Sequence, residues 1–451
     1  MVNTLFLPEL REMLSQANEA ELHEFCTALH PARTAEFMEG LQDDEIWRVL
    51  QYANPALRAE IFGYFEWDRK VELLQNQDNP QVVELLKEIP NDDIVDLVDE
   101  LPEDRVEGIL SLMPPAERRD IRRLRTFEEG TAGAIMTTEA VRLTEDLTVR
   151  QALEQLAQDS EFFETVYYLY VVDDTDHLRG IVSARALISS ISRQDRKLSE
   201  LMDTDLVCVR ADEDQSVVAE KVAKYNLLAI PVVDDQRHML GIITHDDIID
   251  VIHEEAADDL QRSAAVEPLS DSYMRTDVLT LAWKRGMWLV LLFFFALLTA
   301  FVLERYDEHL TLDKFAWLVA FIPLIISSGG NSGSQSSTLI ISALATKDVD
   351  FEDWYKVLKR EIVSGLMLGG VLATIGYFVA VIIAPSMHDA LVIPITILCV
   401  VVAGTSIGGI LPLILKRLGL DPALMSNPFV AGLIDILGIL IYLNVAFIVL
   451  R

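Results

Sequence analysis

The chain has 451 residues and a formal net charge of −34. Residues 1–275 hold 58 acidic against 26 basic side chains, whereas residues 276–451 hold 13 against 11. That split excludes nucleic acid as a partner, because the acidic half would repel a phosphate backbone, and it makes cations the natural company of that half. Cys26, Cys208 and Cys399 match no metal or redox spacing and fit a reducing compartment. The N-terminal MVNTLFLPELREM has neither a basic n-region nor a long apolar run, so no cleaved signal is expected.

Residues 1–130 are expected to be α-helical. The stretch LVDELPEDRVEGILSLMPPAERRDI alternates short amphipathic helices with Pro-containing turns. Leu-rich units such as HPARTAEFMEGL and NPALRAEIFGYF recur before it, as in a superhelical repeat array. Asp92, Asp93, Asp96, Asp99 and Glu100 crowd its end. At helical spacing Asp92, Asp96 and Asp99/Glu100 share a face, and like charges there destabilise the helix unless a counterion joins them.

Residues 131–200 and 201–260 read as two similar α/β units. The first has strand-forming runs at Tyr167–Val172 and Gly180–Ser183, the second at Leu228–Val233 and Gly241–Thr244. They resemble a tandem pair of cystathionine-β-synthase (CBS) domains, which implies either an adenine-nucleotide (ATP) site or a pairing module. In that family a Ser/Thr and an Asp three residues later hold the ribose. Thr244 and Asp247 fit the pattern in the second unit, whereas Ser183 is followed by Ala186 in the first. On a following helix Asp247, Asp250, Glu254/Glu255 and Asp258 form one carboxylate stripe. The stripe is either a solvated face or a partner of Asp92–Glu100 bridged by Mg²⁺, which keeps its waters and needs few direct carboxylates. Residues 261–282 are expected to form a polar connecting helix.

Residues 283–451 hold five apolar runs long enough to cross a bilayer, near 286–304, 315–343, 362–384, 390–415 and 426–450. Lys284 and Arg285, then Lys347, Lys356, Lys359 and Arg360, then Lys416 and Arg417 mark the cytoplasmic loops. The acidic half is thereby expected in the cytoplasm, the spans in the cell (inner) membrane and Arg451 outside. In the second run, Gly329, Gly330 and Gly333 are expected to allow close packing and to loosen the helix, freeing carbonyls toward an ion path. Gly330, Asn331, Gly333 and Gln335 would line that path. The fourth run repeats the theme in Ala403–Gly409. Pro422 and Pro428 predict a break at the fifth run, with Asn427 an oxygen donor there. Asp435 lies eight residues on, about 12 Å along a helix. With Asn427 and Pro428 it completes the expected lining. A lone carboxylate at that depth is costly and marks a cation or proton path. The other reading is a neutral carboxyl bonded to a neighbouring helix.

The order of these parts resembles the MgtE family of magnesium channels along nearly the whole chain. The stretches GGNSGSQSSTLIISALAT and LKRLGLDPALMSNP, and Asp435 with Gly438 and Tyr442, carry the resemblance. It implies a multidomain membrane protein: a superhelical N domain, tandem CBS domains, a connecting (plug) helix and a five-helix transmembrane domain. It implies a homodimer with Mg²⁺ near paired Asp435 side chains. Regulatory Mg²⁺ would fall on Asp92 or Asp93, Asp96, Asp247, Asp250, Glu255, Asp258, Asp259 and Asp421. Ala186 and Asn226 depart from the pattern. The expected function is Mg²⁺ uptake down its electrochemical gradient, shut by intracellular Mg²⁺. The rivals are a proton-coupled divalent cation transporter and a membrane-tethered sensor. No nucleophile–base pair, P-loop or thiol–metal set is present in the sequence, so enzymatic activity is not expected.

Overall fold

The computed structural model describes residues 6–159, 163–269, 273–306, 316–422 and 427–450. They belong to two compact units, Met1–Ile252 and His253–Arg451.

The first unit opens with short helices running from α1 (Leu7–Gln16) to α10 (Pro115–Leu124). Proline sets several starts, as Pro31, Pro55 and Pro115 sit in first turns, where the missing N–H has no helical partner to lose. Asn54 caps α5 (Pro55–Gly63) by accepting from the Leu57 N–H at 2.8 Å. Each helix turns an apolar face inward, so Leu22, Leu50, Phe62, Leu74, Leu86 and Leu110 join one core. That core continues into Val218, Ile230 and Ile243 of the second α/β repeat. The helical array and that repeat therefore share one apolar interior, which brings α8 (Asn91–Asp99) close to the repeat's acidic residues.

Each repeat is a three-stranded sheet. In the first, β1 (Ala140–Thr144) runs parallel to β2 (Thr165–Val172), which pairs antiparallel with β3 (Leu178–Ser183). In the second, β4 (Val209–Arg210), β5 (Ala229–Val233) and β6 (Met239–Thr244) repeat the order. Tyr170 and Val172 of one sheet pack with Ala229, Val233 and Ile242 of the other.

The connecting helix differs from expectation. A helix, α14 (His245–Ser263; α11–α13 are Val149–Asp159, Ala184–Ser189 and Gln215–Tyr225), ends where residues 261–282 were expected to be helical. Ala265 takes a left-handed backbone, φ 59°, and residues 266–269 with Pro268 are not helical. Helix resumes at Val278, where the Asp277 side chain accepts from the Leu279 N–H at 3.0 Å.

Among the described residues the second unit has five helices long and apolar enough to cross a membrane. They are α15 (Val278–Arg305), α16 (Ile322–Ala345), α17 (Trp354–Ile383), α18 (Val392–Arg417) and α19 (Asn427–Val449), three of them with short 3₁₀ lead-ins. The expected loosening of the second span is not present, because α16 is continuous through Gly329, Gly330 and Gly333. These glycines serve close approach instead. A Cβ on Gly404 would lie 2.7 Å from the Gly329 carbonyl oxygen, and one on Gly408 would run into the Gly333 carbonyl. The α16 hydroxyls settle on carbonyls of the preceding turn, as Ser328 does on Leu324 and Ser332 on Ser328, each at 2.7 Å. The break expected around Pro422 and Pro428 does not interrupt α19: Pro428 sits in its first turn, and residues 423–426 lie outside the described residues. Tyr442 is fully buried and donates its hydroxyl to the Leu318 carbonyl at 2.9 Å.

Candidate ion path and acidic interface

Asp435 lies one helical turn beyond Ala431 on α19, against Gly330 of α16. A Cβ at Gly330 would sit 3.3 Å from Asp435 Oδ1 and 3.4 Å from Ala431 Cβ. A side chain at Gly330 would press on the carboxylate unless its neighbours gave by a few tenths of an ångström. Among the described residues Asp435 has no hydrogen-bond or ion-pair partner. Nearby, α16 holds the start of α19: Ser334 Oγ donates to the Asn427 carbonyl at 2.9 Å, and Thr338 Oγ1 to Asn427 Oδ1 at 3.0 Å. Pro428, next to Asn427, is half-buried. Ser327, Asn331, Gln335 and Thr338 form an exposed polar stripe on α16, with Asn331 Nδ2 donating to Ser327 Oγ at 3.2 Å. Hydrocarbon does not solvate such groups, so this face requires water or protein. Gly333 is buried against Val430, Ile434 and the Gly404 carbonyl, a packing position.

Sequence reasoning missed Glu361. The third span begins earlier than expected, and Glu361 is buried on its packing face with Gly365, Gly369, Ala373 and Gly376. Ser336 Oγ donates to Glu361 Oε2 at 2.6 Å, and Thr405 Oγ1 donates to the Glu361 carbonyl at 3.0 Å. The signal was present: Glu361 opens the four-residue spacing of small residues that marks a helix contact.

The first unit gathers carboxylates from three places. Asp92 is buried on α8, and its Oδ1 has no hydrogen-bond partner. Burial, then the Asp247 and Asp93 charges, hold its carboxyl well above the usual range. Asp247 caps α14, where its Oδ2 accepts from the Thr244 N–H at 3.1 Å and the Thr244 hydroxyl at 2.6 Å. Restricted hydration pushes Asp247 up to about 6, with the Thr244 bonds opposing. It pushes Asp96 to about 7, with Asp93 and Asp99 adding to the rise. Asp93 also rises from restricted hydration, against the pull of Lys70. Two further residues were not foreseen. Glu139, beside β1, and Glu164, beside β2, are both pushed to about 7, first by burial. Glu164 adds to the rise of Glu139, and Asp247 to that of Glu164. Both sit at strand ends, where sequence spacing gives no helical stripe to read. Asp93, Asp246, Asp247 and Asp250 also line a cavity of about 690 Å³ between the helical array and α14.

Among the described residues no three His, Cys, Asp or Glu side chains enclose a metal ion directly. The orphaned, buried oxygen of Asp92 beside Asp247 does suit a divalent ion that keeps its water shell. The remaining expected ligands belong to the second unit. There Arg262 holds Asp258 at 3.4 Å and Asp421 at 3.2 Å. Partial burial and the Asp421 charge raise Asp259, and Glu255 is half-buried on α14. Asn226 ends α13 with φ 51°, a left-handed position that asparagine tolerates better than most residues. At the expected ribose position Thr244 and Asp247 are bonded to each other. In the first repeat the Ser183 hydroxyl accepts from the Ala186 N–H at 3.2 Å.

Residues 322–445 match the MgtE divalent cation transporter family, residues 29–130 the MgtE intracellular N domain, and residues 132–193 and 198–254 the CBS domain. The chain is 33% identical over 442 residues to the magnesium transporter MgtE of Thermus thermophilus, covering 97% of each chain. It is 35% identical over 449 residues to the magnesium transporter MgtE of Enterococcus faecalis, covering 98% of this chain and 96% of that one. Among solved structures it is similar to the soluble part of a magnesium transporter, with TM-score 0.52, 35% identity, and coverage of 55% of this chain and 98% of that one. The cytosolic domain of the Mg²⁺ channel MgtE in complex with ATP is also similar, with TM-score 0.50, 31% identity, and coverage of 54% and 98%. A matched relative at this identity over nearly the full length fixes the assignment: the chain belongs to the MgtE family of magnesium transporters.

Proposed function

We propose that this chain is a Mg²⁺ channel shut by intracellular Mg²⁺. The observation that carries the reading is Asp435, a carboxylate on a membrane-spanning helix with no protein cation or hydrogen-bond donor beside it among the described residues. A passing cation is the simplest partner for such a group. The membrane potential supplies about 2.3 kcal/mol per charge per 100 mV, so roughly twice that for Mg²⁺. The polar stripe of α16 supports a homodimer whose second copy covers or wets that face, with the path lined by Gly330, Asn331, Gln335, Asn427, Pro428 and Asp435 and with Gly333 left to packing. The loop charges support a cytosolic N-terminal half and an outer C-terminus in the cell membrane.

Gating follows from the acidic interface. With Mg²⁺ scarce, Asp92, Asp93, Asp96, Asp247 and Asp250 repel and the helical array leaves the second repeat. With Mg²⁺ abundant, hydrated ions neutralise them and the soluble unit closes, biasing a two-state element. In the same reading Glu255, Asp258, Asp259 and Asp421 form a second regulatory group. A similar cytosolic domain is described in complex with ATP, which supports an adenine nucleotide at Thr244 and Asp247.

The test is divalent flux into vesicles holding purified protein. Wild type should pass Mg²⁺ under an inside-negative potential, and Asp435→Ala should fall to the background of empty vesicles while remaining folded. Normal flux through Asp435→Ala would refute the path. Flux that collapses when only the pH gradient is removed would favour the proton-coupled rival.

A further inference from the structure

One basic side chain reaches into the acidic cavity. Lys70 stands on α6 (Trp67–Asn76) of the helical array and lines the same 690 Å³ space as Asp93, Asp246, Asp247 and Asp250. Its Nζ lies 5.8 Å from the centre of the Trp67 ring, one turn back on the same helix, a distance at which the ring face attracts a cation. Loss of water holds its proton affinity below the usual lysine value, and the carboxylates of Asp93 and Asp250 offset only part of that fall. The lysine thus carries its charge into a poorly hydrated space whose anions come from both α8 and α14. Asp93 feels the converse: the Lys70 charge opposes the rise caused by its restricted hydration.

A metal ion entering this space meets a positive charge that cannot diffuse away. A tethered ammonium loses no translational freedom when it neutralises a carboxylate, whereas each Mg²⁺ does. We propose that Lys70 is a built-in counter-cation of the acidic interface, which competes with Mg²⁺ for its carboxylates and raises the Mg²⁺ concentration at which the interface fills. The inference rests on the gating reading above and adds the residue that sets its threshold. Each carboxylate that the ammonium neutralises is one fewer for a divalent ion to satisfy.

The full-length protein in lipid nanodiscs, titrated with Mg²⁺ and read by protection of the soluble half from a protease, tests this. Lys70→Gln should move the protection midpoint to lower Mg²⁺ by roughly three- to tenfold, the scale expected for one charge acting across a few ångströms of partly hydrated space. Lys70→Arg keeps the charge and should stay within about twofold of wild type on the same grounds. Gly63 lines the same cavity with open space beside its Cα. Gly63→Lys should therefore move the midpoint the other way, to higher Mg²⁺, and it reports even if Lys70→Gln folds poorly. A wild-type transition with midpoints unmoved by Lys70→Gln or Gly63→Lys, or moved in the opposite sense, overturns the role of Lys70 and leaves the gating reading standing. A wild type with no Mg²⁺-dependent protection overturns both.

Discussion

The two units of this chain bring backbone and charge together by opposite means. In the membrane unit, α16 and α18 touch through glycine, with main-chain atoms of Gly329 and Gly333 against Gly404 and Gly408. Contact there is complete, and nothing further is needed to close it. In the soluble unit, apolar faces of the helical array and the second repeat share a core, yet beside that core lie carboxylates that repel. One contact is settled by shape. The other is left with carboxylates gathered beside the shared core. In the gating reading proposed above, what the solution supplies settles it.

The comparison breaks most severely at a glycine. Gly408→Val would drive a side chain into the Gly333 carbonyl, and overpacking of this kind costs about 1–3 kcal/mol or more. We expect a sharp loss of folded protein on detergent extraction, read by size-exclusion chromatography; a normal monodisperse yield would mean the crossing is looser than described. The matching change in the soluble unit should leave folding intact and alter response. Asp247→Ala combined with Asp250→Ala should leave Mg²⁺ flux running at millimolar internal Mg²⁺, where the proposed gating has wild type shut, and unchanged inhibition would count against the acidic interface as sensor.

The smallest expected effect is a pH dependence of the metal-free soluble unit. Glu139 and Glu164 rise to about 7 in the folded chain, against roughly 4.3 for an unfolded glutamate. Folded protein therefore binds more protons between those values, and stability must fall as pH rises. The contribution is full below the unfolded value and lost as pH climbs through about 7. Melting of the soluble unit of the full chain without divalent ions should drop by a few degrees between about pH 5.5 and pH 8. Millimolar Mg²⁺ should reduce the drop. A melting temperature that climbs over this window would contradict the burial described for the two glutamates.

Sequence carried the architecture well where one physical signal dominated. Hydropathy located five spans, though the first and third begin earlier than expected, and the strand-forming runs around Gly180 and Gly241 located two strands of each sheet. Asp435 stood out in the sequence as a charge within an apolar run, and the structure leaves it without a hydrogen-bond or ion-pair partner among the described residues. Three features were not legible. The end of α14 turns on a left-handed backbone at Ala265, an alanine that carries no turn signature. The glycines of α16 pointed equally to a loosened helix and a tight crossing, and only the partner helix decides between them. Glu139 and Glu164 lie far apart in sequence and meet because β1 and β2 pair, with Ala140 opposite Thr165.

The glycine crossing also limits where the membrane unit can yield. Turning a side chain cannot loosen a junction made of peptide groups, so α16 and α18 travel as a single strut. The first span is a different kind of part: the most apolar stretch of α15 buries none of its residues within the chain, and Phe295 rests on the Gly432 face of α19. Flexing within the chain then falls to the rim formed by α15 and the foot of α19, while the strut supplies the fixed wall against which Asp435 is held.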